Sequence, residues 1–235
     1  MKKVNLFLSI ILLSISFLSA QFEGKVTMKN SENSETVTFL LKNKQVKLVP
    51  DLGDEKAASV LMDGESGDLT IVVGNGDEKM AMKMNLNSNS MFATQMRMAM
   101  DNAKEEEKSD VEFTWTGDKK TVNGENCEKV IGSNADGEFT AWVTKDLGLS
   151  FEDLFPIESP MTDELKEEMF GDGNGFEGFP MRIITTDGEG TEQIMDAIVE
   201  KISISTTDIA LGKDLDILDM DNFMQEIMAA QDDPD

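Results

Sequence analysis

The stretch Lys79-Met80-Ala81-Met82-Lys83-Met84 repeats a thioether at every second position, with lysine or alanine between. A period of two belongs to a β-strand, whose successive side chains point to opposite faces, whereas a helix would turn Met82 away from Met80 and Met84. Met80, Met82 and Met84 therefore share one face of a strand. Lys79 and Lys83 mark the other face as the wet one.

The same period runs upstream. Val37, Phe39 and Leu41 alternate with Thr36, Thr38 and Leu40, and Val46 with Leu48, Ala58 with Val60 and Met62, and Leu69 with Ile71 and Val73 repeat it. Between these runs lie Asn43-Lys44, Asp63-Gly64 with Ser66-Gly67, and Gly74-Asn75-Gly76-Asp77, all rich in residues that tolerate positive φ. Parallel neighbours would need crossovers of a dozen residues or more, and these joints are shorter. An antiparallel meander follows, with the methionines on the face that also carries Val37, Phe39 and Ile71.

Downstream, the polar run Asn87 to Ser90 ends the meander. Phe92, Met96 and Met100, with Ala99 and Ala103, predict a helix in a segment of good helix formers. Strands are expected again around Val111 to Trp115, Cys127 to Ile131, Phe139 to Val143, Met181 to Thr186 and Ala197 to Ser205. Helices are expected at Ser150 to Phe155, after the Ser159-Pro160 cap with Met161, Leu165 and Met169, and near the end with Phe223, Met224, Ile227 and Met228. The fold class predicted from this order is α+β: a curved antiparallel sheet, an incomplete barrel, packed on a few helices.

Residues 1–20 place Lys2 and Lys3 ahead of an apolar run from Val4 to Leu18 and the small pair Ser19-Ala20, which reads as a secretory signal peptide. The expected organisation is a leader at 1–20, a single exported domain at 21–230 and a disordered tail at 231–235, with the domain released into the periplasm or outside the cell. No later run reaches the roughly 20 apolar residues of a membrane-spanning helix. The chain has 46 acidic against 21 basic residues, a formal charge of −25, and loss of the leader removes two lysines and no acid. Such a balance repels nucleic acid and anionic headgroups, so no nucleic-acid partner is expected.

Histidine and tyrosine are both absent, and Cys127 is the single thiol. Without imidazole there is no Ser-His-Asp or Cys-His nucleophile and no His-based zinc site. Among the many carboxylates nothing singles out an acid and base pair. The sequence predicts a protein that is not an enzyme and implies no cofactor and no resident metal. Cys127 reads as a small buried hydrophobe.

The run Thr116-Gly117-Asp118, then Val122-Asn123-Gly124, Asn126-Cys127-Glu128-Lys129 and Phe139 through Leu147, with Gly178-Phe179-Pro180 later and Phe22 to Val26 at the start, resembles exported bacterial domains of unknown function. Those domains are in turn similar to the outer-membrane lipoprotein carrier, or LolA-like, fold. Where such domains usually carry tyrosines near Gly124 and after the Cys-Glu-Lys motif, this chain has Asn126 and Val130. The resemblance implies a curved sheet wrapped around helices with an apolar cavity between, and it brings no catalytic residue.

Methionine is unbranched and polarizable, so it fills irregular space and adapts to acyl chains of different length. Three readings of the thioether face stand together: a ligand cavity, a dry core in a structural or interaction protein, and a copper(I) carrier using soft sulfur ligands. The expected function is the first, non-catalytic binding of a hydrophobic small molecule or lipid, with Met80, Met82, Met84, Met96, Met100, Phe39, Ile71 and Trp142 as ligand-contacting residues. A protein partner belongs to the second reading.

Overall fold

The computed structural model describes residues 22–31, 34–51, 57–74, 79–88, 90, 94, 112–133, 138–157, 177–186, 191–212 and 215–231. Twelve strands dominate them: β1 (Gly24–Asn30), β2 (Thr36–Lys42), β3 (Gln45–Pro50), β4 (Ala57–Asp63), β5 (Asp68–Gly74), β6 (Met80–Asn85), β7 (Glu112–Val122), β8 (Glu125–Ser133), β9 (Glu138–Thr144), β10 (Phe179–Thr186), β11 (Glu192–Glu200) and β12 (Asp216–Asp219). Two short α-helices are described among these residues, α1 (Thr206–Ile209) and α2 (Met220–Gln231).

All twelve strands form one open sheet in the order β12-β6-β5-β4-β3-β2-β1-β11-β10-β9-β8-β7. Each half is a meander, β1 to β6 and β7 to β11, and the two are joined where β1 pairs antiparallel with β11 from Lys25↔Glu200 to Asn30↔Met195. The turns carry the backbone cost of the meander at residues suited to it. Asn43 and Lys44 have φ of 50° and 61°, and Asn123 and Gly124 have 49° and 92°, the paired positive φ of tight hairpins.

The α+β expectation is overturned: the structure is nearly all sheet, 61% strand and 10% helix, and among the described residues no set of helices supports it. The helix expected at Ser150 to Phe155 is a single 3-10 turn, Glu152–Leu154, and the stretch around it runs as a loop. The helices expected around Phe92 to Ala103 and after Ser159, like the leader at 1–20, lie outside the described residues apart from Thr94. Among the described residues no helix is long and apolar enough to cross a membrane.

Two strands also depart from expectation. The strand expected from Ala197 to Ser205 runs instead from Glu192 to Glu200, because its partners on β1 and β10 extend in that direction. Residues past Glu200 leave the sheet, and Ser205 becomes the N-cap of α1 in a capping box with Asp208. The meander is not wholly antiparallel either, since β12 lies parallel to β6 from Asp216↔Met80 to Asp219↔Lys83.

In place of helices, a loop fills the underside of the sheet. Leu147, Leu149, Phe151, Leu154, Phe155 and Ile157 are all buried and join the cluster that contains Phe39, Leu41, Val46, Met62, Leu69 and Met84. Phe155 meets Phe39 edge-on with centroids 6.0 Å apart at 80°, and Phe151 lies 5.4 Å from Phe155. The loop is stopped at Gly64 in the β4–β5 turn, where an added Cβ would come within 2.7 Å of Pro156.

The second half of the sheet bends. A bulge between Pro180 and Arg182 interrupts the β9–β10 register, and β10 pairs with β11 only from Arg182↔Asp196 onward. The tip of the β7–β8 hairpin returns to β11, where Asn123 Nδ2 donates to the Ala197 carbonyl at 2.8 Å. Replacing Asn123 by alanine is expected to cost about 1–3 kcal/mol, through a lost hydrogen bond and a left-handed residue without a suitable side chain. Asn123→Gly keeps the turn and loses only the bond, so urea denaturation of the pair separates the two contributions; equal stability of all three proteins would remove the latch.

Candidate functional site

The cross-strand register sorts the core-facing side chains of β2 to β6 into rows. Leu41, Val46, Met62, Leu69 and Met84 form one row, and Phe39, Leu48, Val60, Ile71 and Met82 the next. A third holds Val37 opposite Pro50 and Ala58 opposite Val73 and Met80. Met80, Met82, Met84, Phe39 and Ile71 thus share the face that the alternation assigns to them.

Burial falls from the first row to the third, and falls furthest at the β5–β6 end: Val37, Pro50 and Ala58 of the third row remain half-buried, but Val73 and Met80 do not. The first row is closed, with Leu69 at 0% and Met84 at 7% exposed, and it lies on the loop carrying Phe155. In the second, Phe39 is buried while Leu48, Val60, Ile71 and Met82 are half-buried. In the third, Val73 is 40% and Met80 50% exposed. The single face is therefore filled core at the Gly64 end and an open apolar shelf at the other. Of the three thioethers, only Met84 belongs to the filled core.

Among the described residues the three rows carry no ionisable side chain, and at the rim Asp216 on β12 pairs with Met80. Among the described residues no group of three or more His, Cys, Asp or Glu is placed to hold a metal ion. Chemically the shelf offers dispersion and hydrophobic contact alone, worth roughly 25 cal/mol per Å² of apolar surface removed from water.

The opposite face of β5 and β6 is not the wet one that Lys79 and Lys83 suggest, since Thr70, Val72 and Ala81 on it are buried, and the charge it carries is neutralised locally. Lys83 and Asp68 form an ion pair at 2.8 Å, whose hydrogen bond holds the lysine above its ordinary range. Burial alone would raise the Asp68 carboxyl, but hydrogen bonds from Lys83 and Asn85 bring it below its ordinary value.

Trp142 does not join the methionines. It is on β9 beside Ala141, whose side chain belongs to the core, so Trp142 projects from the other face, and Lys120 Nζ sits 3.9 Å from its ring centroid. Alternation within β9 gives the two faces, but only the pairing of β9 with β8 and β10 shows which one meets the core. Met96 and Met100 lie outside the described residues. Cys127 is buried, its thiol pushed up by that burial, as befits a packing residue. For part of the segment from Leu147 to Ile157 the sequence predicts a helix, and it does not show that this segment packs against the core as a loop. Its leucines and phenylalanines lack the spacing of either regular element.

No curated protein matches the chain. Among solved structures, PNGF-II in two crystal forms is similar at 13% and 14% identity with TM-scores of 0.41 and 0.42. Those alignments cover 87% of this chain and 33% and 32% of the other, so the chain spans about a third of that protein's length. The model of the family described as "Domain of unknown function (DUF4412)" matches residues 22–211, which takes in every strand from β1 to β11 and the helix α1. On that match the chain belongs to the DUF4412 family.

Proposed function

We propose that this chain is a non-catalytic exported protein that holds a hydrophobic molecule of lipid class against the open end of its apolar face. The observation that carries this reading is the burial gradient across β2 to β6, from a closed row at Met84 to a row in which Val73 and Met80 stand in solvent. A dry core would be closed along its whole length. The leader-like residues 1–20 support export, and a charge of −25 opposes adsorption to anionic membrane surfaces, so the ligand is one carried in solution.

The test is native mass spectrometry of the chain purified from its own membrane fraction, paired with displacement of a fluorescent apolar probe by a long-chain fatty acid. Lipid-sized adducts and saturable displacement are expected. Met80→Asp, at a position already half in water, leaves the fold intact and weakens probe binding roughly tenfold or more, because the carboxylate must be desolvated beneath the ligand. Bare protein with no saturable probe signal would end the proposal.

A further inference from the structure

The face opposite the core carries a second arrangement. By register Lys129 on β8, Trp142 on β9, Arg182 on β10 and Asp196 on β11 stand side by side in one row. Neighbouring strands are about 4.8 Å apart, so the backbones of Lys129 and Arg182 flank Trp142 at roughly 10 Å from one another. Lys120 reaches in from β7 to cover the indole. Arg182 commits Nε and Nη2 to the Asp196 carboxylate at 2.6 and 2.9 Å. Its Nη1 remains, as do the ammonium groups of Lys120 and Lys129, for which no carboxylate partner exists among the described residues.

Lysines elsewhere are treated in both ways: Lys29 of β1, opposite Asp196, and Lys47 and Lys119 have no carboxylate at ion-pair distance among the described residues, whereas others are neutralised. Lys25, Lys42, Lys83 and Lys145 are paired with Glu200, Glu23, Asp68 and Glu177. A chain with 46 acidic residues has no shortage of partners, yet three cations meet here around one carboxylate. Like charges facing one another across strands cost free energy. The Lys120 ammonium is held below its ordinary range by burial first and by the nearby Arg182 charge second. The indole fixes Lys120 through its π-face without neutralising it, which leaves the N–H donors free to serve a ligand.

We propose that Lys120, Lys129 and Arg182, grouped around Trp142, bind a tetrahedral dianion, a phosphate or sulfate group. Three separate cationic donors suit the several oxygens of such a group, whereas a carboxylate has only two, and charge-assisted bonds are the strong ones. A small anion sits within a Debye length of all three cations, about 8 Å at physiological salt. A long polyanion would also meet the negative field of the remaining surface. The site is independent of the apolar shelf, which occupies the other face.

Isothermal titration calorimetry of the intact chain with inorganic phosphate and with sulfate, at ionic strength held constant with chloride, tests this. Saturable binding of at least one anion is expected, together with a change in tryptophan emission as Lys120 turns from the ring to the ligand. The stronger of the two titrations identifies which oxyanion the site takes. Lys120→Met and Lys129→Gln should each weaken binding about tenfold. Lys129 lies off the ring, so its variant remains informative if Lys120→Met unfolds the chain. Heats no larger than those of chloride would overturn the assignment. So would binding that survives both substitutions, or capture of nucleic acid or a sulfated polymer without any response to the inorganic ions.

Discussion

Truncating Phe155 to alanine is expected to lower the unfolding free energy by about 3–5 kcal/mol, the range for removing a buried aromatic side chain. Phe155 is almost wholly buried, on a loop whose only regular structure is the 3-10 turn Glu152–Leu154. The loop is held by what its side chains touch. Phe155 packs edge-on against Phe39 of β2 and tilted against Phe151, and such ring pairs add about 0.5–1.5 kcal/mol to the area they bury. Its neighbour Pro156 abuts Gly64, so the ring cannot be replaced by a small shift of the loop without a clash at the β4–β5 turn. Phe155→Leu keeps much of the volume and should lose less than half as much. Urea denaturation gives the two values. Because Phe155 closes the same face that is open at Met80, the alanine variant should also bind more of an apolar dye than the parent chain. A change under about 1 kcal/mol, with unaltered dye binding, would show that the loop does not close the core.

Much of the sheet is legible in the sequence because a half-buried strand writes its own period. Met80, Met82 and Met84 fall on the core face as their spacing requires, and Asn43-Lys44 and Asn123-Gly124 turn the chain where their tolerance of positive φ says they should. Other features depend on contacts between distant residues. The strand around Cys127 looks as if it ends at Ile131, before a glycine, yet β8 continues to Ser133. Gly132 stands between Phe113 and Phe139, and their rings meet at 6.0 Å over the space where its side chain would be. The four residues of β12 are too short and too acidic to announce a strand, and only the edge of β6 makes them one. The grouping of Lys120, Lys129 and Arg182 joins three strands, and spacing along any one of them is silent about it.

Gly178→Ala is expected to cost a further large amount, about 3–5 kcal/mol, by two independent routes. Gly178 has φ of 121°, where an L side chain is strained by roughly 1–3 kcal/mol. An added Cβ would also lie 2.6 Å from the Thr144 carbonyl oxygen and 2.8 Å from Val143 Cγ1, an overpacking cost of similar size. The carbonyl belongs to the backbone of β9, which β10 pairs with directly at Phe179↔Thr144, so relief requires moving one strand against the other. Phe179 is fully buried and Pro180 begins the bulge that bends the sheet; proline has no N–H to donate and is at home at such a break. The same logic explains Thr116-Gly117-Asp118, which occupies the register shift in β7 with Gly117 at φ 80°, and Asn123-Gly124, which turns the hairpin back onto β11. Three of the motifs that mark this chain's resemblance to other domains, Thr116-Gly117-Asp118, Asn123-Gly124 and Gly178-Phe179-Pro180, therefore stand at bends and corners of the sheet, and their role there is conformational. Gly178→Ala should accordingly destabilise more than Pro180→Ala, which adds nothing to the corner and removes buried methylenes of a fully buried ring at a cost of about 1–2 kcal/mol. Thermal unfolding of the two variants decides it: comparable losses would mean that the corner is set by the rigid ring of Pro180, and a negligible loss for Gly178→Ala would mean that β10 can enter the sheet without a left-handed residue.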